Sequence, residues 1–144
     1  NGSNKLAALI ERNVAIKTAV VLMDEFEKGD RKLLNFGHTV GHAIENNYQL
    51  LHGHAISIGM IAAATISEKI NNLTKAEKAR LVNLLERYHL PSYIDFDREK
   101  IWEILKMDKK RVGNEMNFIL LNKIGEAIIK PIPFVELKSL LNQI

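Results

Sequence analysis

The stretch from His52 to Ile70 constrains the fold more than any other part of this 144-residue chain. Alanine, isoleucine, methionine and glycine fill most of its positions, so a helix formed here is apolar nearly all the way round. Such a helix must be covered on most sides, which predicts a place at the centre of a helical bundle. No apolar run approaches the roughly 20 residues that span a bilayer, so we expect no membrane segment.

Hydrophobic periodicity and capping signals predict five further helices, over about residues 5–27, 31–46, 75–88, 98–107 and 134–142. Thr74 with Glu77 forms a capping box before the helix at 75–88, and Asp97 caps the helix at 98–107. Residues 108–114 are a polar loop. Two short strands at 116–121 and 127–130 join as a hairpin around residues 123–126. The predicted fold is mainly α, a helical bundle with one small β-hairpin, in a single domain over residues 1–144.

Charge and cysteine content exclude several classes of partner and site. The net charge is +3, and lysine and arginine alternate with acidic residues rather than clustering. A solvated surface explains this pattern better than a nucleic-acid interface. The chain has no cysteine, so disulfides and thiolate metal ligands are excluded and a reducing cytoplasm is the expected location.

Histidines are concentrated in one short region, with cationic and amide side chains just before it. Arg31 and Asn35 precede the first histidine by seven and three residues, on the same broad stripe of the predicted helix at 31–46. Imidazoles beside such donors suit a metal site that handles an anionic, oxygen-rich substrate. Four of the five histidines fall within seventeen positions: His38, His42, His52 and His54.

Spacing alone suggests a set of metal ligands. His38 and His42 are four residues apart, so both lie on one face of a helix. A catalytic zinc ion usually has three protein ligands and one open position, which leaves His52 or His54 as the third. The H-E-x-x-H pattern of metalloproteases is excluded because no glutamate follows His38.

Several segments, which follow one another along the chain, resemble the 3-dehydroquinate synthase family. Residues 31–45 read R-K-L-L-N-F-G-H-T-V-G-H-A-I-E, and residues 52–60 read H-G-H-A-I-S-I-G-M. Upstream, residues 16–31 read I-K-T-A-V-V-L-M-D-E-F-E-K-G-D-R. Downstream, the M-D-K-K of residues 107–110 precedes F-I-L-L and I-G. The resemblance covers about residues 16–127.

The resemblance implies roles for particular residues. It makes His38 and His52 ligands of zinc or cobalt and moves His42 to the substrate side. The resemblance also implies NAD as cofactor and 3-deoxy-D-arabino-heptulosonate 7-phosphate as substrate, a phosphorylated sugar acid that arginine and lysine can bind through its carboxylate and phosphate. The implied catalytic residues are His42, Lys17, Arg31 and Asn35, and the implied substrate contacts are these four with Glu27, Lys109 and Lys110.

The resemblance further implies a larger protein. Members carry an N-terminal NAD-binding α/β domain, of which this chain has no sign, and their third metal ligand is a glutamate that precedes the matching region. We therefore expect a C-terminal domain that alone binds zinc weakly and has no turnover. Its partners would be the missing domain and a second copy in a homodimer. His54 replaces the glutamate of the family's H-G-E, which changes the local charge.

Two alternatives stay open. Other sugar-phosphate cyclases and polyol dehydrogenases share the two-domain plan, although the D-K-K segment favours dehydroquinate synthase. A helical assembly module with vestigial histidines is the alternative outside enzymes. We also expect the apolar helix at 52–70 to be exposed without its partner domain and to promote self-association.

Overall fold

A computed structural model describes the backbone of residues 2–107 and 111–144 and the side chains of residues 4–107 and 113–144. The chain divides into two compact units, residues 1–34 and 35–144. The single-domain organisation stays a prediction.

The first unit consists of one long helix and a turn. Helix α1 spans Gly2–Met23, where the periodicity predicts residues 5–27. Asp24 ends it, because its carboxylate accepts hydrogen bonds from the backbone amides of Lys28, Gly29 and Arg31 at 2.9, 2.8 and 3.1 Å. These bonds, that from Lys28 first, hold the pKa of Asp24 below its usual value. A 3-10 helix then spans Asp30–Asn35, across the boundary between the units.

In its described residues, the second unit contains five α-helices and a small sheet. The helices are α2 (His38–Tyr48), α3 (His52–Ile70), α4 (Lys75–Arg87), α5 (Arg98–Met107) and α6 (Phe134–Leu141). The strands are β1 (Arg111–Val112), β2 (Glu115–Lys123) and β3 (Glu126–Pro133), antiparallel in the order β1-β2-β3. The mainly α fold with its hairpin is confirmed. Strand β1 corrects the predicted loop, because residues 111–112 pair with the start of β2.

The predicted continuous helix at 31–46 is wrong. Its first part is the 3-10 helix, and α2 begins only at His38. Between them Gly37 has a φ of +82°, a left-handed conformation that interrupts an α-helix and that glycine adopts readily. Arg31 and Asn35 therefore do not continue the helical stripe of His38 and His42.

Helix α3 lies at the centre of the second unit, as predicted. It contacts α2, α4 and β2. Ser67 on α3 ties it to the sheet, because its hydroxyl donates to the carbonyl of Ala63 and accepts from the amide of Leu121. The largest fully buried side chains around α3 include Ile44, Ile66, Ile101, Leu105, Phe118, Leu120 and Leu137.

Glycines allow α2 and α3 to approach closely. A Cβ added to Gly59 would lie 2.7 Å from the amide nitrogen of Gly41 and 2.9 Å from its Cα, and would also meet the carbonyl oxygen of Gly37. A Cβ on Gly37 would in turn meet the backbone of Met60. These contacts fix the distance between the helix that begins at His38 and the helix that begins at His52.

Both predicted helix caps are confirmed. Thr74 and Glu77 exchange the two bonds of a capping box, and bonds from Thr74, first among several, lower the pKa of Glu77. Glu77 also accepts the amide of Ile124 in the hairpin turn. The carboxylate of Asp97 accepts the amide of Lys100 at 3.1 Å.

Exposed apolar surface lies on α1 rather than on the third helix. The expectation that the helix at 52–70 would be exposed is wrong, because α3 is covered by its neighbours within the second unit. No helix in the described part of the chain has the length and hydrophobicity needed to cross a membrane. On α1, seven large apolar side chains are each more than half exposed: Leu6, Leu9, Ile10, Val14, Ile16, Leu22 and Met23.

Candidate metal and substrate site

Three imidazole rings meet where α2 and α3 begin. The ring centroids of His38 and His42 lie 5.2 Å apart, and each lies 5.9 Å from the ring of His52. A ring centroid lies about 3 Å from a zinc ion bound to one of its nitrogens, so rings that share an ion have centroids about 5 to 6 Å apart. The observed separations allow any pair of these rings to share one ion.

Two of the rings are held through Nδ1 by oxygen atoms. Nδ1 of His38 lies 3.3 Å from the carbonyl oxygen of Phe36. Nδ1 of His52 lies 3.1 and 3.2 Å from the two carboxylate oxygens of Glu45. Carbonyl and carboxylate oxygens only accept hydrogen bonds, so both contacts favour, in a neutral imidazole, the tautomer with its proton on Nδ1 and its lone pair on Nε2. Metal-binding histidines commonly have such an oxygen partner on the second nitrogen.

Carboxylate and imidazole donors together fit a zinc or cobalt ion. His42, Glu45 and His52 each offer a ligand atom, and these atoms all lie within 4.8 Å of one another. Neutral imidazole and carboxylate are the ligands that catalytic zinc sites use. The donor types therefore fit zinc or cobalt. The group contains His52, one of the two ligands that the resemblance implies, and does not contain the other, His38.

His54 differs in position from the other three. It lies two residues after His52 on α3, and residues two apart on a helix do not face the same way. Its side chain is half-buried, and its carbonyl accepts the hydroxyl of Ser57. Of the two candidates that spacing leaves for a third ligand, it is His52 whose ring lies 5.9 Å from the rings of His38 and His42.

A groove of about 250 Å³ runs beside His42, between α2 and α5. His42 and Asn46 line its α2 side, and Ile104 and Met107 line its α5 side. The groove therefore has a polar side, with His42 and Asn46, and an apolar side, with Ile104 and Met107.

The predicted substrate contacts fall in both units. Lys17 lies on α1, and Glu27 follows in the turn with a φ of +54°. The guanidinium of Arg31 donates to the carbonyl of Glu25, while the amide of Arg31 is held by Asp24. These three predicted residues all belong to the first unit, and their positions are given within that unit.

The remaining predicted contacts are Asn35, Lys109 and Lys110. Asn35 is the last residue of the 3-10 helix and is half-buried in the second unit. The two lysines lie outside the described residues.

The chain is similar to known proteins of one family. The model of the C-terminal domain of 3-dehydroquinate synthase matches residues 1–111. The chain belongs to the 3-dehydroquinate synthase family. A 3-dehydroquinate synthase from Campylobacter concisus is 41% identical over 129 residues, and one from Pyrococcus abyssi is 38% identical over 138 residues. These alignments cover 87% and 94% of this chain but only 37% and 41% of the relatives, so the chain spans about two fifths of their length.

Solved structures of related synthases share the fold. A 2-deoxy-scyllo-inosose synthase complexed with carbaglucose-6-phosphate, NAD+ and Co2+ superposes with a TM-score of 0.84 at 26% identity, over 97% of this chain and 42% of that one. A 2-epi-5-epi-valiolone synthase from Streptomyces hygroscopicus superposes with a TM-score of 0.79 at 23% identity, over 95% and 39% of the two chains. This second likeness shows the fold alone.

Reasoning from the sequence missed two residues of the 3-dehydroquinate synthase motifs. Glu45 contacts His52, and Asp24 holds the turn that carries Arg31. Both stand inside the quoted motifs, Glu45 three residues after His42 and Asp24 at the start of D-E-F-E. Their positions inside the motifs could have identified both residues. For Glu45 there was also a local signal, because an acidic residue three positions after a histidine lies on the same helix face.

Proposed function

We propose that this chain is the metal- and substrate-binding part of a 3-dehydroquinate synthase of the shikimate pathway, a lyase that converts 3-deoxy-D-arabino-heptulosonate 7-phosphate into 3-dehydroquinate and phosphate. The observation that carries the proposal is the convergence of the rings of His38, His42 and His52 within 6 Å, at the start of two helices held together by glycines. The family match supports it.

In this proposal the chain's own residues bind the metal and the substrate. His38 and His52 would hold the ion. His42 borders the groove, where its imidazole can orient a substrate hydroxyl and move a proton. Lys17, Arg31 and Asn35, with Glu27 and a lysine of residues 109–110, would bind the substrate's charged and hydroxyl groups.

The cofactors supply chemistry that side chains lack. Bound zinc or cobalt would polarise a substrate oxygen, and NAD would accept and return a hydride. The NAD+ and Co2+ of the related 2-deoxy-scyllo-inosose synthase support this choice. The NAD-binding residues are proposed to lie in the part of the longer relatives that this chain does not span. Assembly as a homodimer and a cytoplasmic location stay predictions.

The test is phosphate release from heptulosonate 7-phosphate by the full-length enzyme that contains this sequence. We expect release that requires NAD and a divalent metal, and none from the 144-residue chain alone, because the chain spans only two fifths of its relatives. Release by the chain alone would contradict the fragment proposal. No release by the full-length enzyme with both cofactors would contradict the function.

A second candidate is another sugar-phosphate cyclase. The superposition on 2-deoxy-scyllo-inosose synthase with its carbaglucose-6-phosphate favours it. Assaying the full-length enzyme with heptulosonate 7-phosphate and with glucose 6-phosphate separates the two, because each cyclase should accept only its own substrate. Turnover of neither, together with no metal bound, would favour the non-catalytic assembly module.

A further inference from the structure

We infer that Glu45 is a positioning residue that sets the tautomer and orientation of His52, so that Nε2 of His52 faces the metal. This inference rests on the proposed function, in which His52 binds the metal. It goes further by assigning a role to a carboxylate that neither the spacing of the histidines nor the resemblance assigned.

The first support is the contact itself. Both carboxylate oxygens of Glu45 lie within 3.2 Å of the same ring nitrogen, Nδ1 of His52. An ionised carboxylate that accepts from Nδ1–H favours the tautomer with the proton on Nδ1, which leaves the lone pair on Nε2. A carboxylate behind a metal-binding imidazole also makes the ring a stronger ligand.

The second support is that His52 needs such a partner more than His38 does. The side chain of His52 is 59% exposed, whereas that of Glu45 is only 29% exposed. An exposed imidazole in the first turn of a helix can adopt several rotamers and both tautomers. The bond to a partly buried carboxylate on α2 restricts them, as the carbonyl of Phe36 does for His38.

The contact also argues against Glu45 as a direct ligand beside His52. His42, Glu45 and His52 are close enough to share an ion. However, the carboxylate contacts the Nδ1 edge of His52, and the Nε2 edge points away from it. A metal on Nε2 is therefore out of reach of a carboxylate bonded to Nδ1, so Glu45 can hold the ring or share its metal, but not both in this arrangement.

The first test uses nitrogen-15 NMR of the 144-residue chain without metal, at a pH at which the imidazole is neutral. Two-bond correlations between ring protons and ring nitrogens identify the tautomer. We expect His52 to be protonated on Nδ1 in the natural sequence and to shift towards the Nε2–H form in Glu45→Ala. An unchanged tautomer in Glu45→Ala would overturn the inference.

The second test adds Zn2+ alone and measures its dissociation constant and the nitrogen to which it binds. We expect zinc on Nε2 of His52 and about 10- to 100-fold weaker binding in Glu45→Ala. Glu45→Gln, which keeps an acceptor oxygen, should recover part of the loss. Glu136→Gln removes the same charge from an exposed position on α6 and should leave zinc affinity unchanged.

The outcomes separate this inference from the proposed function. Zinc on Nδ1 of His52, or a Glu45→Gln variant as weak as Glu45→Ala, would show a direct ligand and overturn the positioning role. A Glu45-dependent tautomer in a chain that binds no zinc would instead contradict the proposed metal site while leaving the Glu45–His52 contact intact. The metal-free tautomer depends on neither substrate nor turnover.

Discussion

At the scale of single residues, the open question is which pair of imidazoles binds the metal. The three ring separations allow either the pair His38 and His42, from spacing, or the pair His38 and His52, from the family. We expect His42→Ala to change the zinc dissociation constant of the chain by less than about tenfold, while His52→Ala weakens it more than about 100-fold, because only the latter removes a ligand. Isothermal titration with zinc measures both. Equal losses in the two variants would favour a ligand set that includes His42.

Asp24 provides a second residue-scale prediction, on pH. Its pKa is lowered by the backbone bonds it accepts, so its stabilising effect on the turn is present above the ordinary carboxyl pKa of about 4 and is lost as the pH falls through the lowered value. We expect the protection of the Lys28, Gly29 and Arg31 amides from hydrogen exchange to fall across that acid range. Asp24→Asn should lower their protection at neutral pH as well. Protection that is independent of Asp24 would contradict this account.

At the scale of elements, the site depends on the close approach of α2 and α3. We expect Gly59→Ala to destabilise the second unit by about 3 kcal/mol or more, since the added Cβ would overlap backbone atoms of Gly37 and Gly41 that cannot move aside. Gly53→Ala is the matched control on the same helix, because a Cβ there meets nothing within 4 Å. Urea unfolding followed by circular dichroism measures both. A Gly59→Ala variant as stable as Gly53→Ala would show that the helices can separate freely.

At the scale of the whole molecule, α1 carries apolar surface that the chain itself leaves exposed. We expect the 144-residue chain to self-associate as its concentration rises, because so many large apolar side chains on one helix are rarely left in water together. Sedimentation velocity of a Leu9→Gln, Leu22→Gln variant should show weaker association. Leu84→Gln, on α4, is the control, because Leu84 is 52% exposed and Leu9 is 51% exposed. Equal association in all variants would show that the chain associates through a surface other than α1.

Local patterns were enough to predict most elements. The apolar run of α3 predicted a central helix, and the Thr74–Glu77 and Asp97 caps predicted where α4 and α5 begin, because periodicity and capping act within a few residues. The hairpin was predicted for the same reason. The break in the helix at Gly37 was not predicted. It depends on a positive φ and on a close approach to Met60, and the residues within one helical turn of Gly37 indicate neither.

The sequence by itself determined the family, the helical class and the identity of the imidazoles, because motif residues and hydrophobic periods are properties of the chain in order. Only the tertiary structure decided that His52, rather than His54, approaches the rings of α2, and that Glu45 holds it. The reason is that these contacts depend on how closely two helices pack and how one is rotated against the other. Glycines at the crossing set that distance, and spacing along the chain does not encode it.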